Sequence, residues 1–90
     1  MEIIYTNKAK NDIDYWKKSG NKLVQKRIQE LIFDIEKNPL IGLGKPEQLK
    51  FELSGKWSRR INQEHRIVYD IKETVVTIHS LRGHYNKKKK

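Results

Sequence analysis

The first half of the chain combines one short β-prone segment with two runs whose apolar residues have helical spacing. Residues 2–5 favour a strand, and Thr6-Asn7 then offer an N-cap to a run with apolar residues at 9, 13 and 16. A stop and a new cap at 19–21 precede apolar residues at 24, 28, 31 and 35, and Asn38-Pro39 ends this second run. The pattern predicts a strand followed by two helices that form an antiparallel hairpin.

The second half of the chain is predicted to be a loop followed by strands. Positions 39–48 hold both prolines and two of the five glycines, a composition that breaks helix and strand alike. β-branched and aromatic residues then recur near 49–53, 57–61, 65–71 and 75–82. Strands with such short links pair antiparallel, because a parallel return needs a longer crossover. We expect an α+β domain in which the helical hairpin packs on a twisted, mainly antiparallel sheet.

Length and composition restrict the class of protein. Ninety residues build one domain with one principal site. The chain has no cysteine, so it has neither disulfides nor thiolate metal ligands, which fits a reducing cytoplasm. Its apolar stretches are too short for a membrane span or a signal peptide. We therefore expect a cytoplasmic protein with no membrane contact.

The charge balance points to a polyanionic partner. Twenty Lys and Arg against eleven Asp and Glu give a net charge of +9, and without the four lysines at 87–90 the balance is still +5. Nucleic acid is the first candidate, because its binding relies on Lys and Arg contacts to phosphate. A basic surface that serves solubility alone is the plainer alternative.

Strand alternation places one arginine where an anion can reach it. The apolar row at 67, 69 and 71 is the better core face, which leaves Arg66 on the sheet surface away from the helices. On the preceding strand, alternation separates Arg60 from Arg59, which shares its side with Trp57 and Ile61. A single exposed arginine is more often a solvated or salt-bridged residue than a site.

Other side chains suit acid–base chemistry. Glu47 ends the loop just before a predicted strand and can act as a general base, while His84 and Tyr85 follow the last strand. A carboxylate, a guanidinium and an imidazole around a basic sheet can cleave RNA without metal, with the ribose 2′-hydroxyl as nucleophile. His65 and His79 are expected to be structural. The absence of cysteine and of a helical His pair argues against zinc.

Four co-ordered segments make the chain recognisable. Gly42-Leu43-Gly44-Lys45-Pro46-Glu47, the stretch 53–61, Glu64-His65-Arg66-Ile67-Val68-Tyr69 and His84-Tyr85 closely resemble YoeB-type toxins, a branch of the RelE superfamily. Segments 14–16 and 28–35 of the two helices are also similar to that family. The resemblance implies a ribosome-dependent mRNA endonuclease that acts in the decoding site. It also implies a YefM-like antitoxin whose disordered segment wraps the toxin, and a toxin that can dimerise.

The resemblance also assigns roles by position. It implies a toxin domain over 1–85, followed by a basic tail, 86–90, beyond the His-Tyr pair at which family members end. We expect no cofactor or metal, because the sequence offers no ligand cluster for a catalytic metal. The implied roles are general base for Glu47, transition-state cation for Arg66, general acid for His84, pocket aromatic for Tyr85 and accessory RNA-binding cations for Lys50 and Arg60.

Two other functions remain open on the sequence. The chain could be a basic RNA- or ribosome-binding module that holds phosphate and cuts nothing. It could also act on another target, such as a topoisomerase, although relatives of that kind lack the set of base, cation and acid.

Overall fold

The computed structural model describes residues 1–83, which form two helices packed on a five-stranded sheet. The strand order is β1-β5-β4-β3-β2; β1 runs parallel to β5, and the other neighbours are antiparallel. The predicted α+β class, with an N-terminal strand and a mainly antiparallel sheet, is confirmed. The elements are β1 (Glu2–Tyr5), α1 (Asn7–Ser19), α2 (Lys22–Lys37), β2 (Glu47–Gln48), a 3₁₀ turn (Phe51–Leu53), β3 (Trp57–Arg60), β4 (Arg66–Lys72) and β5 (Val75–Ser80).

Both helices begin at the caps that the sequence predicted. The Thr6 hydroxyl accepts a hydrogen bond from the Ala9 N–H at 3.1 Å, and the Asn21 side chain accepts one from the Val24 N–H, also at 3.1 Å. These bonds satisfy amide groups that have no partner within the helix. Gly20 ends α1 with φ 75°, a left-handed conformation that glycine adopts without strain.

The core lies between the helical hairpin and one face of the sheet. Leu31 and Ile35 of α2 are fully buried, as are Ile67 and Tyr69 of β4. The helical spacing of apolar residues in α2 therefore matches the row of apolar side chains on the sheet. The same cluster contains Ala9, Trp16, Val24, Ile28, Ile61, Val76, Ile78 and Leu81.

One predicted strand is wrong. Residues 49–53 do not form a strand: pairing is confined to Glu47–Gln48, and Phe51–Leu53 is a 3₁₀ turn. Phe51 has a positive φ of 61° and is 65% exposed, so it neither extends the backbone nor adds to an apolar face. The Leu49 N–H donates to the Lys56 carbonyl at 2.9 Å, which closes the segment into a compact turn.

Candidate active site

The helices leave one face of the sheet uncovered, and we call it the open face. Arg66 and Val68 alternate along β4 with Ile67 and Tyr69, which point into the core. Val68 is only 7% exposed but does not belong to the core cluster, because it lies on the other side of the sheet. The sequence therefore placed Arg66 on the correct face.

Glu47 lies on the open face at its β2 edge. It is paired in register with Ser58 of β3, which is paired in turn with Val68 of β4. Residues directly opposite each other share a face, so Glu47 lies in line with Val68 at two strand spacings, or about 10 Å. Glu47 is exposed.

Arg60 and Arg66 concentrate positive charge beside this carboxylate. They are direct partners in the β3–β4 register, and like charges in that position repel each other. An arrangement that costs stability in this way is typical of a site that binds an anion. Arg60 is exposed, and so is Lys50, which directly precedes the 3₁₀ turn.

Arg66 is less accessible than the sequence predicted. Only 9% of the residue is exposed, so Arg66 lies on the predicted face of the sheet but is a buried residue there. The Nη1 atom donates to the carbonyls of Asn62, Gln63 and His65, at 2.7, 3.4 and 3.2 Å. These contacts fix the orientation of the guanidinium against the turn that precedes β4.

The segment after β5 is held by two side chains of α1. The Leu81 N–H donates to the Asp12 carboxylate at 2.9 Å, and the Trp16 indole donates to the Leu81 carbonyl at 2.9 Å. Both side chains are almost fully buried. Each backbone group of Leu81 is therefore fixed by the helix on the far side of the sheet.

Gly83 is held from the other side by the start of β4. Its N–H donates to Nδ1 of His65 at 2.9 Å, and its carbonyl accepts the backbone N–H of Arg66 at 3.0 Å. The His65 ring also contacts the Trp16 ring edge-on, with centroids 4.9 Å apart. Gly83 therefore lies beside Arg66.

His84, Tyr85 and the basic tail lie outside the described residues, so their predicted roles stay predictions.

Arg59 connects the sheet to the loop that carries Glu47. Its guanidinium is fully buried and donates to the Tyr69 hydroxyl at 3.0 Å and to the Asp34 carboxylate at 2.6 Å. It also donates to three loop carbonyls, those of Asn38, Ile41 and Leu43. This network fixes the course of the loop between α2 and β2.

The ionisation of the network follows from these contacts. The Leu43 N–H, and next the Arg59 guanidinium, hold the pKa of the Asp34 carboxyl below its usual value. Burial raises the pKa of the Tyr69 hydroxyl, against the opposing effect of Arg59. At neutral pH the network therefore joins a carboxylate, a guanidinium and a neutral phenol.

Two glycines let the loop approach this network closely. A Cβ at Gly42 would lie 2.0 Å from the Asp34 carboxylate. A Cβ at Gly44 would lie 2.9 Å from the Leu31 side chain and 3.0 Å from the Arg60 carbonyl. The Arg60 N–H donates to the Gly44 carbonyl at 2.7 Å, which ties the loop directly to β3.

No role was predicted for Arg59, although the sequence contained a signal for one. Alternation put Arg59 on the same side of β3 as Trp57 and Ile61, which is the core side. A charged residue at a core position needs buried partners. The identity of those partners depends on the path of the loop, which the sequence pattern does not determine.

Within residues 1–83, no group of three or more His, Asp or Glu side chains is placed to hold a metal ion. None of the helices in this part of the chain is long and apolar enough to cross a membrane.

Solved structures with both higher and lower sequence identity share the fold of this chain. The YoeB/ParE toxin from Agrobacterium tumefaciens matches with a TM-score of 0.89 and 34% identity, over 94% of this chain and 100% of that one. The YoeB–YefM complex from Staphylococcus aureus matches with a TM-score of 0.83 and 42% identity, over 94% and 98% of the two chains. YafQ from Escherichia coli, at 14% identity and a TM-score of 0.78, shows the fold alone.

Sequence comparison identifies the family. Toxin YoeB of Escherichia coli strain K12 is 44% identical over 85 residues, which cover 94% of this chain and 100% of the relative. The family model for YoeB-like toxins of bacterial type II toxin–antitoxin systems matches residues 5–85. The resemblance seen in the sequence is thus confirmed, and this chain belongs to the YoeB-like toxin family.

Proposed function

We propose that this toxin is a metal-independent, ribosome-dependent endoribonuclease that cuts mRNA in the decoding site and thereby inhibits translation. The observation that carries the proposal is the open face, where Glu47 stands in register with strands that present Arg60 and Arg66. A carboxylate beside two cations suits a phosphodiester whose neighbouring hydroxyl must lose a proton.

The proposed reaction takes its nucleophile from the substrate. Glu47 removes the proton of the ribose 2′-hydroxyl, and the oxygen attacks the adjacent phosphorus. Arg66 stabilises the charge that grows on the phosphate oxygens, and His84 gives a proton to the departing 5′-oxygen. The products are a 2′,3′-cyclic phosphate and a free 5′-hydroxyl. Tyr85 stacks on a base or orients the phosphate.

Lys50 and Arg60 are proposed to bind RNA phosphate next to this centre. Both side chains are exposed. Arg60 is also fixed at its backbone, because its N–H donates to the Gly44 carbonyl. Contacts of this kind position the RNA without reading its sequence.

The proposed partners follow from the relatives. The Staphylococcus aureus YoeB has been solved with YefM and as a dimer. We propose that this chain is likewise neutralised by a YefM-like antitoxin and that it can form a homodimer. We also propose that residues 1–85 are the toxin domain, that 86–90 are a basic tail and that the protein works in the cytoplasm.

The test of the mechanism blocks the nucleophile. An mRNA with 2′-methoxy at the single nucleotide 5′ of the cut keeps its phosphates and bases, so it should still bind. It should resist cleavage by several orders of magnitude, because no attacking oxygen remains. Gel analysis of cleavage on programmed ribosomes measures this, and unmodified RNA should give the cyclic phosphate. Normal cutting of the blocked RNA would refute the mechanism.

A modified leaving group tests the roles of acid and base separately. A bridging 5′-sulfur departs without a proton, so it should partly rescue His84→Ala but not Glu47→Ala. The non-catalytic alternative predicts another pattern: wild-type protein would bind ribosomes and mRNA, and neither natural nor sulfur-modified RNA would be cut.

A further inference from the structure

A cleft next to the proposed centre has no role in the mechanism so far. It has a volume of about 260 Å³ and opens between the ends of β4 and β5 and the turn after β2. Val68 and Leu53 give it an apolar lining, and Lys8, Lys56 and Arg82 stand around it. The three cations come from three separate parts of the chain, so the fold itself brings their charges together.

The three cations differ in the contacts that they already make within the protein. Lys8 pairs with the Asp12 carboxylate at 2.7 Å, which offsets part of its charge. The Arg82 guanidinium carbon lies 3.7 Å from the centre of the Tyr15 ring. Stacking uses the flat face of a guanidinium and leaves its N–H edge able to donate. Lys56 is half-buried beside the apolar lining. Arg82 and Lys56 are thus the cations best prepared to meet an anion.

A bulge adds a fixed imidazole to the cleft wall. Val68 pairs with Ser80, but the next residue, Tyr69, pairs with Ile78, so His79 is the extra residue on β5. The His79 Nε2 atom lies 2.8 Å from the Asp70 carboxylate, and His79 lines the cleft. His79, which was predicted to be structural, therefore also forms part of the cleft wall.

The location of the cleft links it to the proposed cut. Val68 is in register with Ser58 and, through it, with Glu47. Gly83 also lines the cleft, binds the Arg66 N–H through its carbonyl and directly precedes His84. An RNA strand placed between Glu47 and the end of β5 would therefore continue into this cleft.

Size and lining indicate the kind of ligand. Sites for whole small molecules measure about 300–1,000 Å³, and this cleft is smaller. An apolar wall beside converging cations suits one sugar–phosphate unit of a chain whose remainder lies outside. We propose that the cleft binds one RNA phosphodiester adjacent to the one that is cut, with Lys56 and Arg82 as its main ligands. This inference rests on the proposed function of the open face.

The test measures binding of the 2′-methoxy-blocked RNA to Lys56→Gln and Arg82→Gln. The matched control is Lys72→Gln, which removes the same charge from an exposed residue at the far end of β4. Loss of one phosphate contact on single-stranded RNA should reduce the slope of log affinity against log salt by about 0.7. We expect this reduction in both cleft variants and not in the control, with unchanged thermal melts in all three.

Replacing one RNA phosphate by a neutral analogue shows which phosphate contacts the cleft. If the cleft holds mRNA, methylphosphonate at one position beside the cut should weaken the binding of the wild type more than the binding of Lys56→Gln or Arg82→Gln, because each variant has already lost one of the two cations. If the phosphate belongs to ribosomal RNA, no such position exists, and the cleft variants bind vacant ribosomes more weakly than the control does. The first result supports the proposal, and the second would overturn it, because that phosphate would not be adjacent to the one that is cut.

Different results would refute the phosphate site in the cleft and the proposed cleavage mechanism. Cleft variants that match Lys72→Gln on blocked RNA and on vacant ribosomes would overturn the phosphate site, even when the wild type cuts mRNA normally. A wild type that cuts no mRNA on ribosomes would overturn the proposed function instead. The binding comparison would still decide whether the cleft holds phosphate.

Discussion

Arg59 and Arg60 are adjacent residues of one type with opposite environments. Arg59 is fully buried in a network of side-chain and carbonyl oxygens, whereas Arg60 is exposed on the open face. Strand alternation alone produces this difference. The two residues therefore have different roles: Arg59 holds the loop in place, and Arg60 is proposed to bind phosphate.

The Arg59→Met variant should test the holding role. Methionine fills much of the space but leaves three carbonyls without the donor that Arg59 supplies, and it removes the countercharge of the Asp34 carboxylate, which still accepts from the Leu43 N–H. Removing one partner of a buried ion pair costs about 3–5 kcal/mol, and the lower end applies because a quarter of the Asp34 side chain is exposed. Urea denaturation should show a clear drop in midpoint.

Arg60→Met is the matched control for that measurement. It should unfold at nearly the wild-type midpoint, because the lost side chain is exposed, and yet cleave mRNA more slowly. Adding Asp34→Asn to Arg59→Met should recover part of the lost stability, since it removes the stranded charge. Equal midpoints for Arg59→Met and Arg60→Met would contradict the network.

Asp34 also makes stability depend on pH. Its folded pKa lies below its unfolded value, so the folded state binds fewer protons. The resulting stabilisation is complete above the unfolded pKa, about 3.9, and is lost as pH falls through the folded pKa. The difference in urea midpoint between wild type and Asp34→Asn should therefore be largest near neutral pH and should shrink below pH 4. A difference in midpoint that stays constant down to pH 2 would show that ionisation of Asp34 does not contribute to stability.

At the scale of elements, local patterns predicted most of the fold. Caps at Thr6 and Asn21 and the apolar row of α2 depend on near neighbours, so both helices could be located from the sequence. The run 49–53 looked like a strand, but its fate depends on the bond between Leu49 and Lys56 and on the positive φ of Phe51. These features arise from the packing around β2 and leave no periodic trace.

The loop between α2 and β2 gives a testable case at this scale. Gly44→Ala should lower stability by more than the roughly 1–2 kcal/mol that a left-handed conformation costs an ordinary residue. Its φ is 79°, and the new Cβ would also press on Leu31 and on the Arg60 carbonyl. Because that carbonyl belongs to β3, cleavage should fall as well.

Gly55→Ala separates strain from contact. Gly55 has a φ of 92° and open space where the Cβ would stand. This variant should therefore show the conformational cost alone and keep its activity. Melting curves and cleavage rates of both variants provide the comparison. If Gly55→Ala lowers stability and activity as much as Gly44→Ala does, then the close approach of the loop to β3 is not the reason for a glycine at position 44.

At the scale of the whole molecule, the open face collects residues that are distant in sequence. Glu47 was predicted as a site residue from its type and position, and both Glu47 and Arg60 from segments that resemble the family. Their proximity depends on the sheet order, and the parallel pairing of β1 with β5 could not be read from the apolar pattern. The sequence could therefore name these candidates, while the structure supplied Arg59 and the cleft.

Charge placement across the molecule leads to the last prediction. Removing residues 87–90 lowers the net charge from +9 by four, to +5. Gln substitution of four exposed lysines on the helical hairpin makes the same change; we choose Lys10, Lys17, Lys22 and Lys26. The molecule is 24 Å across its shortest axis, and charges are screened over about 10 Å at 0.1 M salt. Lysines on the helical side should thus contribute little to RNA that lies on the open face.

The tail should contribute more, because it follows closely in the sequence after Gly83, which lies beside Arg66. We expect the truncated protein to bind blocked RNA more weakly and with a shallower salt dependence than the hairpin variant, although both carry the same net charge. Cleavage at saturating RNA should produce the same ends in both, since neither change touches Glu47 or Arg66. Titrations at several salt concentrations decide the matter: equal slopes would mean that total charge, and not its placement, draws RNA to this protein.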